Sequence, residues 1–449
     1  MAKETVTLVQ LARLGDLAQT WLLVSRLQRS GRRVRLVVEE KLGALAGAMV
    51  GEQNRVGVDT DRLRRLASGK EFYTVMRDYL GRLCDTPSDY VINLNFHPAV
   101  AALAESIPAS RHGGARWRDV IGGVPSDTVF RELFLHSAGK ERVTSRHLSE
   151  IWGGYCEPAG SRADLNPPYH LSLPAPARNS AVELLRSRAD SSPPYRQEDR
   201  PVAIIVGAGL DVRACSAAYW TEFIKELTVD APVILIGSQT EQSRGEQIVD
   251  SLTRLNTPVV NFCGKTDPAG LAGLLFQCRL AIGTDSGPLH VAAMVGTKCL
   301  GLYYGSMFFR QTGPYGPSHT VIAPDQPGYP CSEEEMTSFP AKFTPPSPRF
   351  AAEIASAILS GEDRHSCLSI SDGRIGVPNG WRVLKSSSGR NGLHWNRIEG
   401  SHDVPRSIDI ASRHSNIYRG EGRHSVAHLK DGDIMSTLPD TNIIAVTSH

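Results

Sequence analysis

The chain reads as an α/β protein made of two doubly wound halves in tandem, each a mostly parallel sheet covered by helices on both faces. Three observations lead there. The chain opens on a strand, a tight loop and a helix; strands then alternate with helices; and the alternation stops at a proline-rich stretch and begins again beyond it. At roughly 150 residues per domain, 449 residues allow two or three separate cores.

The elements follow in order. Thr5 to Leu11 is a buried-strand pattern, Ala12-Arg13-Leu14-Gly15-Asp16 is a short loop, and helical spacing runs from Leu17 to about Gln28. Arg33 to Val38 is a second strand, Leu42 to Met49 a short helix, Asp61 to Leu83 a longer helical stretch, and Tyr90 to Asn95 another strand. Between Pro158 and Arg200 the prolines rule out a continuous buried element, and the domain boundary falls there. Beyond it come strands at Val202 to Val206, Val233 to Ile236, Val259 to Phe262, Leu280 to Ile282 and Lys298 to Tyr303. Helices at Tyr219 to Leu227, Glu241 to Leu255, Leu271 to Gln277 and Leu289 to Val295 separate them, and Arg349 to Leu359 closes the series.

These boundaries divide the chain into an N-terminal domain at 1–180, a C-terminal domain at 198–362 and a poorly structured tail at 363–449. Within the tail, Trp381 to Leu384 and Leu393 to Asn396 flank a Ser/Gly-rich turn that fits one hairpin. His424 and His428 stand four apart there, but no cysteine or carboxylate set accompanies them at ligand spacing, so no metal site is expected.

Composition excludes several classes. Lys+Arg 49 against Asp+Glu 47, without a long run of one sign, gives no electrostatic footprint for nucleic acid. The eight cysteines are scattered without a C-x-x-C, and Cys263, Cys278 and Cys299 lie in apolar runs, as reduced buried thiols do. The start lacks a basic segment followed by a long apolar one, and no stretch is apolar enough to span a bilayer. The expectation is a cytoplasmic protein. No Gly-x-Ser-x-Gly elbow or Walker loop appears, which argues against hydrolase and ATPase chemistry.

The sharpest chemical signal is Gly283-Thr284-Asp285-Ser286-Gly287-Pro288-Leu289-His290, between a strand and a small-residue helix. The carboxyl end of a strand in an open parallel sheet is where ligands bind, and the next helix offers free N–H groups to an anion. Asp285 can accept hydrogen bonds from sugar hydroxyls, Ser286 can donate to phosphate, and Gly287 lets the backbone approach. Asp285 or Ser286 acting only as a helix cap fits the same residues.

Gly207-Ala208-Gly209 follows the first strand of the second half. With Val212 in place of the last glycine, the dinucleotide fingerprint fails, but small residues there admit a pyrophosphate and Arg213 can neutralise it. Glu241, at a helix start after Gly237, can hold two ribose hydroxyls or simply answer the helix dipole. In the first half, Asp16 stands at the strand-to-helix turn, where a carboxylate can deprotonate an attacking hydroxyl or cap the helix.

Gly283 to Ala293, with Cys263-Gly264-Lys265-Thr266 before it, Thr312-Gly313-Pro314-Tyr315-Gly316 after it and Ala12 to Thr20 at the start, resembles glycosyltransferase family 9, the lipopolysaccharide heptosyltransferases. The resemblance spans about residues 3 to 360. It implies a GT-B fold, two Rossmann-like domains facing across a cleft, with the nucleotide-sugar donor in the C-terminal half and the acceptor mainly in the N-terminal half.

By position the resemblance gives Asp16 the general-base place. It gives Asp285 the place that holds the donor sugar, Arg213 that of a basic residue near the diphosphate and Glu241 that of a ribose-binding acid; Gly207, Ala208, Gly209, Thr284, Ser286, Gly287 and His290 complete the donor-site candidates from the two loops. Cys215 stands where a tryptophan commonly follows the basic residue, and Leu22 replaces a common proline. The implied reaction is an inverting displacement without metal or cofactor, moving heptose from ADP-heptose to a lipid-linked lipopolysaccharide-core acceptor at the inner face of the inner membrane. A sugar-nucleotide epimerase on the same architecture and a nucleotide-sugar-binding paralogue without turnover are the alternatives.

Overall fold

The computed structural model describes residues 3–66, 70–122, 126–137, 146–156, 170–187, 200–228, 231–254, 259–361, 380–389 and 392–398. The first half contains β1 (Thr5–Gln10), α1 (Leu14–Gln19), α2 (Trp21–Arg29), β2 (Arg33–Glu39), α3 (Gly43–Val50), β3 (Arg55–Val58), α4 (Thr60–Leu66), α5 (Lys70–Cys84), β4 (Ser88–Asn93), α6 (Pro98–Ser106) and β5 (Ala109–Gly114). Helices α7 (Trp117–Gly122), α8 (Thr128–Ser137), α9 (Leu148–Gly153) and α10 (Ala175–Ser187) lead on to the second half.

That half holds β6 (Val202–Ile205), α11 (Ala217–Glu226), β7 (Val233–Ile236), α12 (Gln242–Thr253), β8 (Val259–Asn261), α13 (Pro268–Phe276), β9 (Leu280–Gly283), α14 (Gly287–Met294) and β10 (Lys298–Leu302). It ends with α15 (Phe309–Thr312), β11 (Thr320–Pro324), α16 (Glu333–Ser338), α17 (Pro348–Ser360), β12 (Trp381–Gly389) and β13 (Gly392–Ile398).

The first sheet is parallel in the order β3-β2-β1-β4-β5. β1 lies at its centre with every residue buried, which is why its sequence is a continuous apolar and threonine run rather than an alternating one. In the second sheet β8-β7-β6-β9-β10-β11 are parallel, and β12 and β13 extend it antiparallel beyond β11. Strand order reverses beside β1 in one half and beside β6 in the other, so the loops after β1, β6 and β9 open at the two topological switch points.

The halves are packed together. α1 lies on α14, and α13 touches both α10 and α3. One buried apolar cluster runs without a break from Leu8 and Leu17 through Ala203 to Leu289 and Val291. The contact at the seam is close: a Cβ on Gly15 would lie 2.9 Å from His290 Cδ2, and one on Gly287 would lie 3.1 Å from Leu14 Cβ. Glycine at both positions lets the two backbones meet.

Four expectations need correction. The first helix starts at Leu14, so Asp16 lies inside its first turn and not in the preceding loop. The stretch from Pro158 to Arg200 contains a helix after all: Pro174 and Pro176 stand at the start of α10, where a missing N–H costs nothing, and Ala181 and Leu185 bury its inner face. The run from Asp61 to Leu83 comprises α4 and α5, with 67–69 between them outside the described residues. Finally, the hairpin is no appendage of a loose tail.

β12 pairs with β11 from Lys385 opposite Thr320 to Trp381 opposite Pro324, and Val383, Leu384 and Ile398 are buried. Asp325 accepts from Arg397 at 2.7 Å and pairs with Arg382 at 3.6 Å. Residues 362–379 and 399–449, including His424 and His428, lie outside the described residues.

Candidate active site

Asp16 is held by its own helix start. Its carboxylate accepts the Arg13 N–H at 3.2 Å, and its carbonyl accepts the Thr20 hydroxyl at 2.8 Å. Arg13, not Asp16, holds the N-cap position, and Asp16 caps from the third helical position by accepting the N-cap N–H; the same carboxyl faces the second half across the seam. Burial pushes its pKa above the ordinary aspartate value; the Arg13 N–H and the electrostatic pull of His290 and Arg13 oppose this, while the Asp285 charge adds to it.

Asp285 is the counterpart on the second half. Its Oδ1 bonds His290 Nε2 at 3.1 Å and its Oδ2 accepts the Thr312 hydroxyl at 2.9 Å. Burial alone would raise its carboxyl, but the hydrogen bond and electrostatic pull of His290, the Arg213 charge and the Thr312 bond hold it below the usual range. The helix-cap reading fails here. Ser286 occupies the N-cap position of α14 without capping it, and its hydroxyl donates to the Thr284 carbonyl at 3.1 Å. In the first turn of α14 Pro288 has no N–H and the Leu289 and His290 N–H groups donate to the Ser286 carbonyl at 3.1 and 3.3 Å, which leaves the Gly287 N–H to a ligand at the switch point; the buried Thr284 hydroxyl has no protein partner.

The loop after β6 completes the floor. A Cβ on Gly207 would lie 2.7 Å from Glu241 Cδ, and one on Gly209 would lie 3.4 Å from an Arg13 guanidinium nitrogen, so Arg13 of the first half reaches over this loop. Glu241 is turned inward: Oε2 accepts the Ser238 N–H and hydroxyl, both at 2.7 Å, and Oε1 accepts the Thr240 hydroxyl at 2.8 Å. Burial works against its ionisation, but the Ser238 and Thr240 bonds and the Arg244 charge keep its pKa low.

Arg213 does not lie against Gly207 to Gly209 as expected. Its guanidinium donates to Ser306 Oγ at 3.2 Å and to Glu333 Oε2 at 3.0 Å, while its buried Nε has no protein partner. Its influence on Asp285 shows that it still borders the same site.

Sequence reasoning missed four contributors: Arg13, Thr312, Ser306 and Glu333. Arg13 and Thr312 stand inside motifs quoted for the family resemblance, so a signal existed. Arg244 was missed as well; it braces the loop by donating to the Val206 carbonyl and to Asp211, each at 2.9 Å. Among the described residues no group of three or more His, Cys, Asp or Glu side chains is placed to hold a metal ion. Cys263 and Cys278 are buried with thiols pushed up to about 12, inert rather than nucleophilic. No helix among the described residues is long and apolar enough to cross a membrane.

Comparison with known proteins agrees with this architecture. Residues 164–341 match the family described as glycosyltransferase family 9 (heptosyltransferase), which bears out the resemblance read from the motifs. Two curated relatives named lipooligosaccharide heptosyltransferase 2 align with short segments. The one from Campylobacter jejuni is 29% identical over 100 residues, covering 22% of this chain and 31% of its own; the one from Haemophilus influenzae is 32% identical over 97 residues, covering 21% and 28%. The chain thus spans about a third of the length of these relatives.

Among solved structures, a family 9 glycosyl transferase from Veillonella parvula superposes with a TM-score of 0.60 at 18% identity, covering 78% of this chain and 94% of that one. The E. coli heptosyltransferase WaaC with ADP gives 0.53 at 16% identity, covering 70% and 91%. The fold is GT-B, as the sequence implied.

Proposed function

We propose that this protein is an inverting, metal-independent glycosyltransferase that moves heptose from ADP-heptose to a lipid-linked lipopolysaccharide-core acceptor. One observation carries the reading: Asp16 of the first half faces Asp285 and His290 of the second across a seam so close that a Cβ on Gly15 would lie 2.9 Å from the His290 ring and one on Gly287 3.1 Å from Leu14 Cβ. The curated relatives are named as lipooligosaccharide heptosyltransferases, which supports this choice of sugar and acceptor.

The chemistry follows from the two carboxyls. The acceptor hydroxyl attacks the anomeric carbon as the bond from that carbon to the diphosphate oxygen breaks, and the hydroxyl proton passes to Asp16. A base whose pKa is raised by burial keeps affinity for that proton. Asp285, kept ionised and aimed by His290 and Thr312, accepts hydrogen bonds from the sugar hydroxyls.

The departing diphosphate takes its charge stabilisation from the Gly287 N–H at the start of α14, the Gly207 to Gly209 backbone and the cations Arg213 and Arg13. Buried polar atoms at Thr284 and Arg213 that lack protein partners gain them from the ligand. The residues supply this stabilisation themselves, so the reaction calls for no metal. A lipid-linked acceptor would bring the enzyme to the inner membrane surface as a peripheral cytoplasmic protein.

Calorimetry of ADP-heptose, ADP-glucose, UDP-N-acetylglucosamine and GDP-mannose in the presence of a chelator tests the reading. Preference for the ADP-sugars, followed by heptose transfer to a core acceptor that persists in chelator, is the expected result. Tighter binding of a UDP- or GDP-sugar would overturn the substrate, and activity abolished by chelation would overturn the metal-free mechanism.

A further inference from the structure

A small cavity of about 20 Å³ lies on the seam between α1, α2, α9 and α14. Roughly 10–15 Å³ of such space is enough for one water molecule. Four of its lining side chains carry a buried polar atom with no protein partner: Gln19 Oε1, Trp21 Nε1, Ser149 Oγ and His290 Nδ1. Gln19, Ser149 and His290 are each more than nine-tenths buried, at 6%, 1% and 7% exposure. An unmet buried donor or acceptor costs about 1–3 kcal/mol, so four gathered round one cavity demand an explanation.

Their chemistry is complementary to a single molecule. His290 Nε2 is engaged with the Asp285 carboxylate, which requires the proton on that nitrogen and, in the neutral ring, leaves Nδ1 as an acceptor. Gln19 Oε1 is a second acceptor; the Trp21 indole N–H and the Ser149 hydroxyl are two donors. Water has two hydrogens and two lone pairs. We propose that this cavity binds one water molecule, which donates to His290 Nδ1 and Gln19 Oε1 and accepts from Trp21 and Ser149. It thereby fixes His290 in the tautomer whose Nε2–H holds Asp285.

Ala293 and Met294 line the same cavity and wall it with apolar surface. Gln19, Trp21 and Ser149 are then positioning residues: they come from the first half and act on Asp285 of the second through the water and His290. The effect on catalysis rests on the glycosyltransferase reading, whereas the water and the tautomer do not.

The test uses the full chain labelled with ¹⁵N at tryptophan and histidine. Cross-relaxation from a long-lived water to the Trp21 indole proton, with His290 Nδ1 unprotonated by its ¹⁵N shift, is expected in the wild type and lost in Ser149→Ala and Gln19→Leu. A Trp21 indole proton without water contact, or a proton on Nδ1 instead of Nε2, overturns the proposal even if the enzyme transfers heptose. With transfer established, Ser149→Ala should lower kcat/KM for ADP-heptose about fivefold, the worth of one hydrogen bond. An unchanged kcat/KM alongside a lost water would show that the water does not position Asp285.

Discussion

Asp16 and Asp285 are two aspartates at one seam, both pressed by burial, with opposite outcomes. Asp285 is surrounded by groups that favour its charge: the His290 ring, the Thr312 hydroxyl and the Arg213 guanidinium. Asp16 has a backbone N–H, more distant cations and the like charge of Asp285 against it. The difference separates their work. One carboxylate stays ionised and rigid, as an anchor must; the other keeps proton affinity, as a base must.

Closing the seam with a methyl group should have the largest effect. Gly15→Ala places a Cβ 2.9 Å from Cδ2 of the His290 ring, whose adjacent Nε2 bonds Asp285, so either the halves part or the anchor shifts. A misplacement of this order costs about 10²-fold in rate, and transfer activity should fall about that far with the fold intact by circular dichroism. Gly287→Ala, whose Cβ would lie 3.1 Å from Leu14 Cβ and 3.2 Å from the Gly15 N, should cost less than Gly15→Ala, because the approach is less close and a shift of a few tenths of an ångström between the two helix starts relieves it.

Thermal melting against pH sharpens the contrast. A pKa raised in the folded state means that folding disfavours the ionised form, so the Asp16 charge destabilises the protein above its folded pKa and that penalty disappears as pH falls below the unfolded value. The Asp285 shift has the opposite sign: its stabilisation is present above the unfolded value near 3.8 and is lost as pH falls through the folded one. Asp16→Asn should therefore raise the melting temperature at neutral pH, and Asp285→Asn should lower it, with both differences shrinking in acid. Shifts of the same sign would contradict the comparison.

The smallest expected effect concerns Arg213. Its pairing with the partly exposed Glu333 competes with an arriving diphosphate, and exposed pairs are worth little, about 0.2–1 kcal/mol. Glu333→Ala should tighten ADP-heptose binding by a few-fold in calorimetry. Weaker binding would mean that Glu333 orients Arg213 for the ligand rather than restraining it.

Much of this was legible in sequence. Central parallel strands are buried on both faces and show as apolar runs, as in Val202 to Ile205 and Val233 to Ile236. β5, at the sheet edge, reads Ala-Ser-Arg-His-Gly-Gly and gives no such signal. β3 reads Arg-Val-Gly-Val, where an arginine and a glycine break the apolar run, and the prolines at the start of α10 masked its helix. The switch-point turns were legible because glycine and proline mark them.

The partners were not legible. Arg213 meets Glu333 across 120 residues and Thr312 meets Asp285 across 27, pairings set by the packing of distant loops and not by local spacing. Ser286 illustrates the same limit: its residue type suits a cap, yet its extended backbone turns the hydroxyl to the Thr284 carbonyl.

The most direct measurement is turnover and ADP-heptose affinity on Asp16→Asn and Asp285→Asn side by side. Asp16→Asn should lose at least about 10²-fold in turnover with donor affinity unchanged, and Asp285→Asn should lose donor affinity as well. Full turnover in Asp16→Asn, or equal loss of donor affinity in both variants, would contradict the division of labour between the two acids.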